Sequence, residues 1–206
     1  MTKNVVILDY GSGNLRSAER AVARTGVNVV VTDDLEAAAA ADGLVVPGVG
    51  AYAACMAGIN ELDAGPMIAG RVAAGRPVLG ICVGMQIMFE SGVEHGVETK
   101  GLGLLPGSVT RLHAERIPHM GWNTVTVPAG STLLAGLGSE TRFYFVHSYA
   151  ARDLDLLKDA AVTTAAHDEP FAAVVERGAL STAQFHPEKS ADAGYALLKN
   201  WVQTLR

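Results

Sequence analysis

The chain is 206 residues long, 49% hydrophobic and 18% charged, with a formal net charge of −5. This composition excludes intrinsic disorder. The mild acidic excess argues against nucleic acid or an anionic membrane surface as the main partner. Two cysteines, Cys55 and Cys82, cannot build a disulfide framework, so a reducing cytoplasm fits best. At about 150 residues per domain, the length predicts one domain, 1–206, able to bury roughly 70% of its unfolded surface.

Met1–Asp9 holds an apolar run of four residues, too short for a secretory signal. Val5–Leu8 reads as a strand, followed by a loop through Gly13 and a helix over Leu15–Ala23. Val29–Val31 is a second strand and Leu35–Ala41 an alanine-rich helix. Residues 43–60 carry no charge, but Pro47, Gly48, Gly50 and Gly58 interrupt them. They predict the strand Leu44–Val46, a tight loop and a helix start, not a membrane span. Helical segments continue to about Ala74, broken near Pro66. Pro77–Ile81 is a fourth strand and Val83–Phe89 a helix. Alternating β and α segments with continuous apolar strands imply a parallel sheet covered on both faces. The second half is β-rich. Ser108–Leu112, Trp122–Val127, Thr141–Tyr149, Ala160–Ala165, Phe171–Glu176 and Ala179–Phe185 read as strands, with a hairpin turn at Arg177-Gly178. A closing helix, Ala191–Leu205, takes Ser190 as its N-cap. The expected fold is α/β with a central mixed, largely parallel sheet.

Gly80-Ile81-Cys82-Val83-Gly84 has the G-x-nucleophile-x-G form between a strand and a helix. That turn projects the nucleophile out of the sheet, and the helix start favours a thiolate. The Val83 N–H then points where an oxyanion would form. Free cysteine is commonly a buried apolar residue, but the flanking glycines favour a catalytic Cys82. Cys55, on a helix face with no glycine pair, reads as core. A nucleophile needs a base and the base an orienter. His186 and Glu188 lie two apart across Pro187, which fixes the local backbone, so both project to one side. Glu188 can set the imidazole tautomer and leave the other nitrogen for Cys82. Pro47-Gly48-Val49-Gly50 can supply a second oxyanion donor, the Val49 N–H, although an ordinary turn uses the same residues. In a resting loop the Val49 carbonyl would face the pocket and the N–H would be turned away.

Gly11-Ser12-Gly13, with Asp33 downstream, mimics a dinucleotide-binding fingerprint. Its third glycine is replaced by Arg16, so nucleotide binding is disfavoured. His119, outside the predicted elements, and His147, at a strand end, read as partner surface or satisfied interior groups. No His, Cys or Asp pair has zinc-site spacing, and no metal or cofactor is expected.

The Cys82 elbow with His186-Pro187-Glu188 resembles the triad (class I) glutamine amidotransferases. Further motifs are Asp9–Ser17, Pro47–Ala51, Gly101–Gly107, Pro118–Asn123, Tyr144–Tyr149 and Gln184–Ser190. They resemble the branch whose glutaminase subunits serve imidazole glycerol phosphate synthesis in histidine biosynthesis. The resemblance implies a single three-layer, flavodoxin-like domain. It implies glutamine hydrolysis through a thioester on Cys82, with His186 transferring protons and Glu188 orienting it. Val49 and Val83 match the oxyanion hole; Gly50, Gln86, Ser148 and Tyr149 match positions that hold the amino-acid end of glutamine. The implied partner is a (β/α)₈-barrel cyclase, which receives ammonia in a heterodimer; Asn14, Trp122, Tyr144 and Lys189 match positions near that interface. Three rival readings differ at named residues. A pyridoxal-phosphate synthase glutaminase would carry Pro-Gly-Gly-Glu-Ser at 47–51. A deglycase- or chaperone-type elbow protein would lack His-Pro-Glu. A silent binding subunit would not need an intact triad.

Overall fold

Five short apolar segments form the parallel part of the central sheet: β1 (Asn4–Leu8), β2 (Asn28–Thr32), β3 (Gly43–Gly48), β4 (Val78–Cys82) and a late strand, β13 (Leu180–Ala183). The computed structural model describes residues 2–205. β3 and β4 are buried at every residue, as strands covered on both faces must be. β2 is an edge strand and only half buried. The antiparallel strands β11 (Ala161–His167) and β12 (Glu169–Arg177) extend the sheet beyond β13, giving the order β11-β12-β13-β4-β3-β1-β2. The expected α/β fold with a mixed, largely parallel sheet is what the chain adopts.

The chain leaves β1 outward to β2 through α1 (Leu15–Ala23), then crosses back over β1 to β3 through α2 (Leu35–Ala40). That reversal places α1 and α2 on opposite faces, because parallel crossovers are right-handed. α1 packs with α6 (Ala191–Gln203), while α2 and α3 (Tyr52–Glu61) pack with α4 (Ala64–Ala73). The reversal also opens a crevice at the carboxyl ends of β1 and β3, the usual ligand position in such sheets. Asp34 caps α2, its Oδ1 accepting from the N–H groups of Glu36 at 2.8 Å and Ala37 at 3.1 Å. The far end of α2 is held by Arg71 of α4. Its buried guanidinium donates to the carbonyls of Ala38, Ala39 and Ala41 at 2.8 to 3.0 Å.

A second sheet, β10-β7-β5-β6, joins β5 (Phe89–Glu94), β6 (Val97–Lys100), β7 (Leu105–Arg111) and β10 (Tyr149–Ala151). A two-stranded antiparallel ribbon pairs β8 (His119–Thr124) with β9 (Arg142–His147). One continuous set of buried apolar residues runs from Val5 to Leu205.

Four expectations need correction. The helix after Cys82 is one turn, α5 (Val83–Gln86), and Phe89 starts a strand instead. The carbonyls of Ile87, Met88 and Phe89 are taken by the N–H groups of residues 102–105, so the helix cannot propagate. The break between α3 and α4 lies at Asp63, in left-handed backbone at φ 54°, and Pro66 is accommodated in the first turn of α4. Ser190 precedes α6, but its side chain makes no capping bond. His119 is not outside regular structure; it opens β8.

Candidate active site

The sheet order β13-β4-β3 sets three loops side by side at the carboxyl ends of parallel strands. They carry His186, Cys82 and Val49. Gly48 of β3 is in register with Cys82, and Ala183 of β13 with Ile81. Cys82 has φ 56° and ψ −116°, a conformation costly for any residue with a side chain. The turn is tolerated because the backbone around it is tightly nested. A Cβ on Gly84 would lie 1.9 Å from the Val46 carbonyl oxygen, and one on Gly80 would lie 2.7 Å from that of Gly84. Two glycines around Cys82 are therefore a steric requirement.

His186 and Glu188 are both almost completely buried, with His186 Nδ1 and Glu188 Oε1 2.7 Å apart. Nε2 is thereby left for Cys82. Burial alone would lower the imidazole's pKa. Hydrogen bonding and charge from Cys82 and Glu188 outweigh it and hold His186 up at about 9. Cys82, the candidate nucleophile, is thus brought together with His186 and Glu188, but not through the expected extended run: His186 is extended at φ −100°, and Pro187–Lys189 form a 3₁₀ turn that carries Glu188 back to the imidazole. Ser190, whose hydroxyl does not cap α6, instead donates to the His186 carbonyl at 2.7 Å and accepts from the Tyr144 N–H at 2.9 Å. The His186 N–H donates to the Tyr144 carbonyl at 3.0 Å. The loop after β13 is thereby fastened to β9.

Val83 is the first residue of α5, where an N–H has no acceptor within the helix. Val49 is differently placed. Its N–H donates to Ser12 Oγ at 3.2 Å. Its carbonyl accepts from Ser12 Oγ at 2.9 Å and from the Cys55 thiol at 3.4 Å. The N–H is turned to Ser12. The expected inward-facing Val49 carbonyl is not found, because Ser12 and Cys55 hold it. The Gly11–Gly13 loop, with its likeness to a nucleotide cradle, is thus packed onto the Val49 loop. Cys55 is fully buried, and burial raises its pKa, so it stays a thiol.

On the other side of Cys82, Gln86 and Gln184 are buried together. Gln86 Nε2 donates to Gln184 Oε1 at 3.0 Å and to the Tyr149 carbonyl at 2.9 Å. Gln184 Nε2 lies 3.9 Å from Cys82 Sγ. Ser148 is the bend between β9 and β10, its carbonyl accepting from the Leu112 N–H at 2.9 Å. Gly50 is exposed beside Val49. Among the described residues, no group of three or more His, Cys, Asp or Glu side chains is placed to hold a metal ion. No described helix is long and apolar enough to cross a membrane. A larger groove, lined by Pro77, Thr132 and Glu176 among others, sits at the opposite end of β4 and β13. The Glu176 carboxylate is already engaged there by Ser131, Thr132 and Leu133.

A family model described as glutamine amidotransferase class-I matches residues 6–204. The chain belongs to the class I glutamine amidotransferase family. It is 62% identical over 204 residues to the imidazole glycerol phosphate synthase subunit HisH of Mycolicibacterium paratuberculosis, covering 99% of both chains. It is 58% identical to the HisH subunit of Streptomyces avermitilis, covering 98% of this chain and 97% of that one. A crystal structure of a glutamine amidotransferase superposes with a TM-score of 0.76 at 22% identity, covering 97% of each chain. Thermotoga maritima PurLQS superposes at 0.70 and 19%, covering 99% of this chain and 97% of that one. These structures speak for the fold, and the HisH relatives for the function. This amidotransferase is the glutaminase subunit type of imidazole glycerol phosphate synthase.

The resemblance places four residues near a partner. Asn14 lines a narrow crevice with Pro47, Gly48, Val49, His186 and Glu188. Trp122 is half exposed on β8 and meets Tyr144 of β9 edge-on, ring centroids 6.0 Å apart. Lys189 is exposed next to Glu188. Tyr10, Ser12, Gln184 and Ser190 were missed as contributors to the site. Tyr10 donates to the Pro47 carbonyl at 2.5 Å. Only Ser12, between two glycines after a strand, carried a usable sequence signal.

Proposed function

We propose that the whole chain, residues 1–206, is one amidotransferase domain that hydrolyses glutamine on Cys82 and feeds ammonia to a (β/α)₈-barrel cyclase in the cytoplasm. The single observation that carries this reading is the buried Cys82–His186–Glu188 alignment at adjacent strand ends. The Cys82 thiolate attacks the side-chain amide carbon, and the carbonyl electrons move to oxygen. His186, protonated on Nε2, gives that proton to the departing nitrogen, releasing ammonia and leaving a thioester. It then takes a proton from water as the water attacks the thioester, and glutamate leaves. Glu188 holds the imidazole orientation throughout. The Val83 N–H and, once freed from Ser12, the Val49 N–H stabilise the oxyanion. Gly50, Gln86, Ser148 and Tyr149 hold the amino-acid end of glutamine. Asn14, Trp122, Tyr144 and Lys189 face the cyclase.

The test is steady-state glutaminase assay with and without the cyclase subunit and its nucleotide ligand. Activation is expected mainly in kcat, because the second oxyanion donor acts on the transition state. Full turnover by the isolated chain, indifferent to partner and ligand, would refute the regulated subunit. Retained activity in Cys82→Ala would refute the nucleophile.

A further inference from the structure

Two histidines outside the triad, His119 and His147, are buried and bonded to each other, His119 Nδ1 to His147 Nε2 at 3.0 Å. His147 Nδ1 lies 3.0 Å from the Tyr149 carbonyl oxygen, which can only accept. His147 therefore carries its proton on Nδ1, and as a neutral ring it accepts at Nε2. His119 must then donate from Nδ1 and accept at Nε2. There it meets Asn123 Nδ2 at 3.2 Å. The Asn123 amide is fixed from both ends. Its other Nδ2 hydrogen goes to the Ala166 carbonyl at 2.9 Å, and its Oδ1 accepts from the Thr124 N–H at 2.9 Å. The row thus has one direction only: Asn123 to His119 to His147 to Tyr149.

Its terminal acceptor is shared. The Tyr149 carbonyl also accepts from Gln86 Nε2 at 2.9 Å, so both its lone pairs are used. We propose that His147 is a positioning residue for glutamine: through the row from Asn123 and His119 it fixes the Tyr149 carbonyl, and with it the Ser148–Tyr149 wall of the substrate pocket. This rests on the reading of Gln86, Ser148 and Tyr149 as the glutamine pocket. A purely space-filling role would not require it. Phe145 and Phe171 already pack on these rings, with His119 stacked on Phe145 at 4.7 Å and His147 edge-on to Phe171 at 4.9 Å. Another aromatic ring would fill the space without burying polar nitrogens, which is costly unless each is satisfied. Here each is satisfied, and such a network specifies one geometry. Both rings are held neutral: burial, reinforced by repulsion from neighbouring histidines, lowers His119 to about 4 and His147 to about 3. The row begins on β8 beside Trp122, so it also joins the strand that faces the partner to the substrate pocket.

The experiment compares His147→Phe, His147→Asn and His147→Gln in complex with the cyclase. Asn places an amide near Nδ1 and retains the donor to Tyr149; Gln reaches towards the Nε2 position and does not. His147→Phe and His147→Gln are expected to raise the glutamine KM by about five- to tenfold, with kcat at saturating glutamine within about twofold. His147→Asn should return KM most of the way to wild type. Equal KM values in all three variants would overturn the proposal, as would a loss confined to kcat. Should Phe prevent folding, the Asn and Gln pair makes the same comparison. In the unaltered protein, nitrogen NMR of the imidazoles should find Nδ1 protonated in both His119 and His147; protonated Nε2 in His147 also overturns the row. Gln86→Leu run in parallel separates the two readings. If it too leaves KM unmoved, the pocket assignment fails. If it raises KM while His147→Phe does not, only the relay fails.

Discussion

His186 and His147 are buried to nearly the same degree, yet they are held in opposite protonation states. The region around His186 supplies a carboxylate and a thiol, and these overcome burial. The region around His147 supplies a carbonyl and a second imidazole, and burial wins. Depth alone therefore does not set a buried histidine's titration; the charge of its partners decides whether burial prevails. The first region is built to move a proton at neutral pH; the second is built never to hold an extra one.

The largest way to test the contrast is to remove chemistry from the first region. Cys82→Ala should reduce glutaminase activity by about 10⁶-fold, to background, with the thermal transition little changed. The holoenzyme should still use added ammonium salts at high pH, because the cyclase chemistry lies on the other chain. His186→Ala should lower kcat/KM by roughly 100- to 10,000-fold, since it removes the proton carrier. Glu188→Gln removes only the orienter and one source of negative charge, so its loss should be smaller, on the order of 10- to 100-fold. The pH at which His186 gives up its proton should fall from about 9 towards its ordinary value. A larger loss for Glu188→Gln than for His186→Ala would reverse the assigned roles.

A smaller effect is expected where the two sides of the active cleft meet. Ser12→Ala frees the N–H of Val49 and leaves its carbonyl to the Cys55 thiol alone. One hydrogen bond's net worth predicts a rise of about fivefold in the glutaminase rate of the isolated chain. The rate at saturating cyclase and ligand should not change. An unchanged or lower isolated rate would show that Ser12 does not restrain the loop.

The remaining effect is on stability and is confined to acid pH. His119 and His147 stay neutral in the folded chain, whereas the unfolded chain takes up protons below about 6.5. Their contribution is therefore complete above that pH. It is lost as pH falls towards about 4 for His119 and about 3 for His147. Each group adds up to about 1.4 kcal/mol per pH unit within its window. Urea unfolding from pH 7 to 4 should show this slope, and His147→Phe should flatten it. An unchanged slope in that variant would mean that His147 is not held neutral.

Much of the nucleophile's surroundings was legible because sterics write it into residue type. Gly80 and Gly84 are forced by backbone contacts on either side of Cys82, whereas the turn at Pro187–Lys189 that joins Glu188 to His186 was not legible, since an extended run was expected there. α1 was also legible over Leu15–Ala23, since Ala18 and Val22 recur at helical spacing on its buried face. What escaped depends on contacts between distant segments. Nothing local in Val83–Phe89 tells that residues 102–105 will take the carbonyls needed to lengthen α5. Ser190 has the chemistry of a cap, but β9 competes for its hydroxyl. Ser12 looked like part of a phosphate loop until the β3 loop was packed against it. His119 and His147 are 28 residues apart, and only the pairing of β8 with β9 sets them opposite each other.

The burial of Cys55 has a practical consequence. A water-borne alkylating agent meets two thiols in the sequence but only one that can answer it in the folded state. Cys55 is sealed between Ser12 and the Val49 carbonyl and kept protonated. Cys82 is also buried, but it stands at the strand end with an imidazole at its side. Under native conditions iodoacetamide should therefore add a single carbamidomethyl group per chain, and the mass increment becomes a count of competent active sites in any preparation.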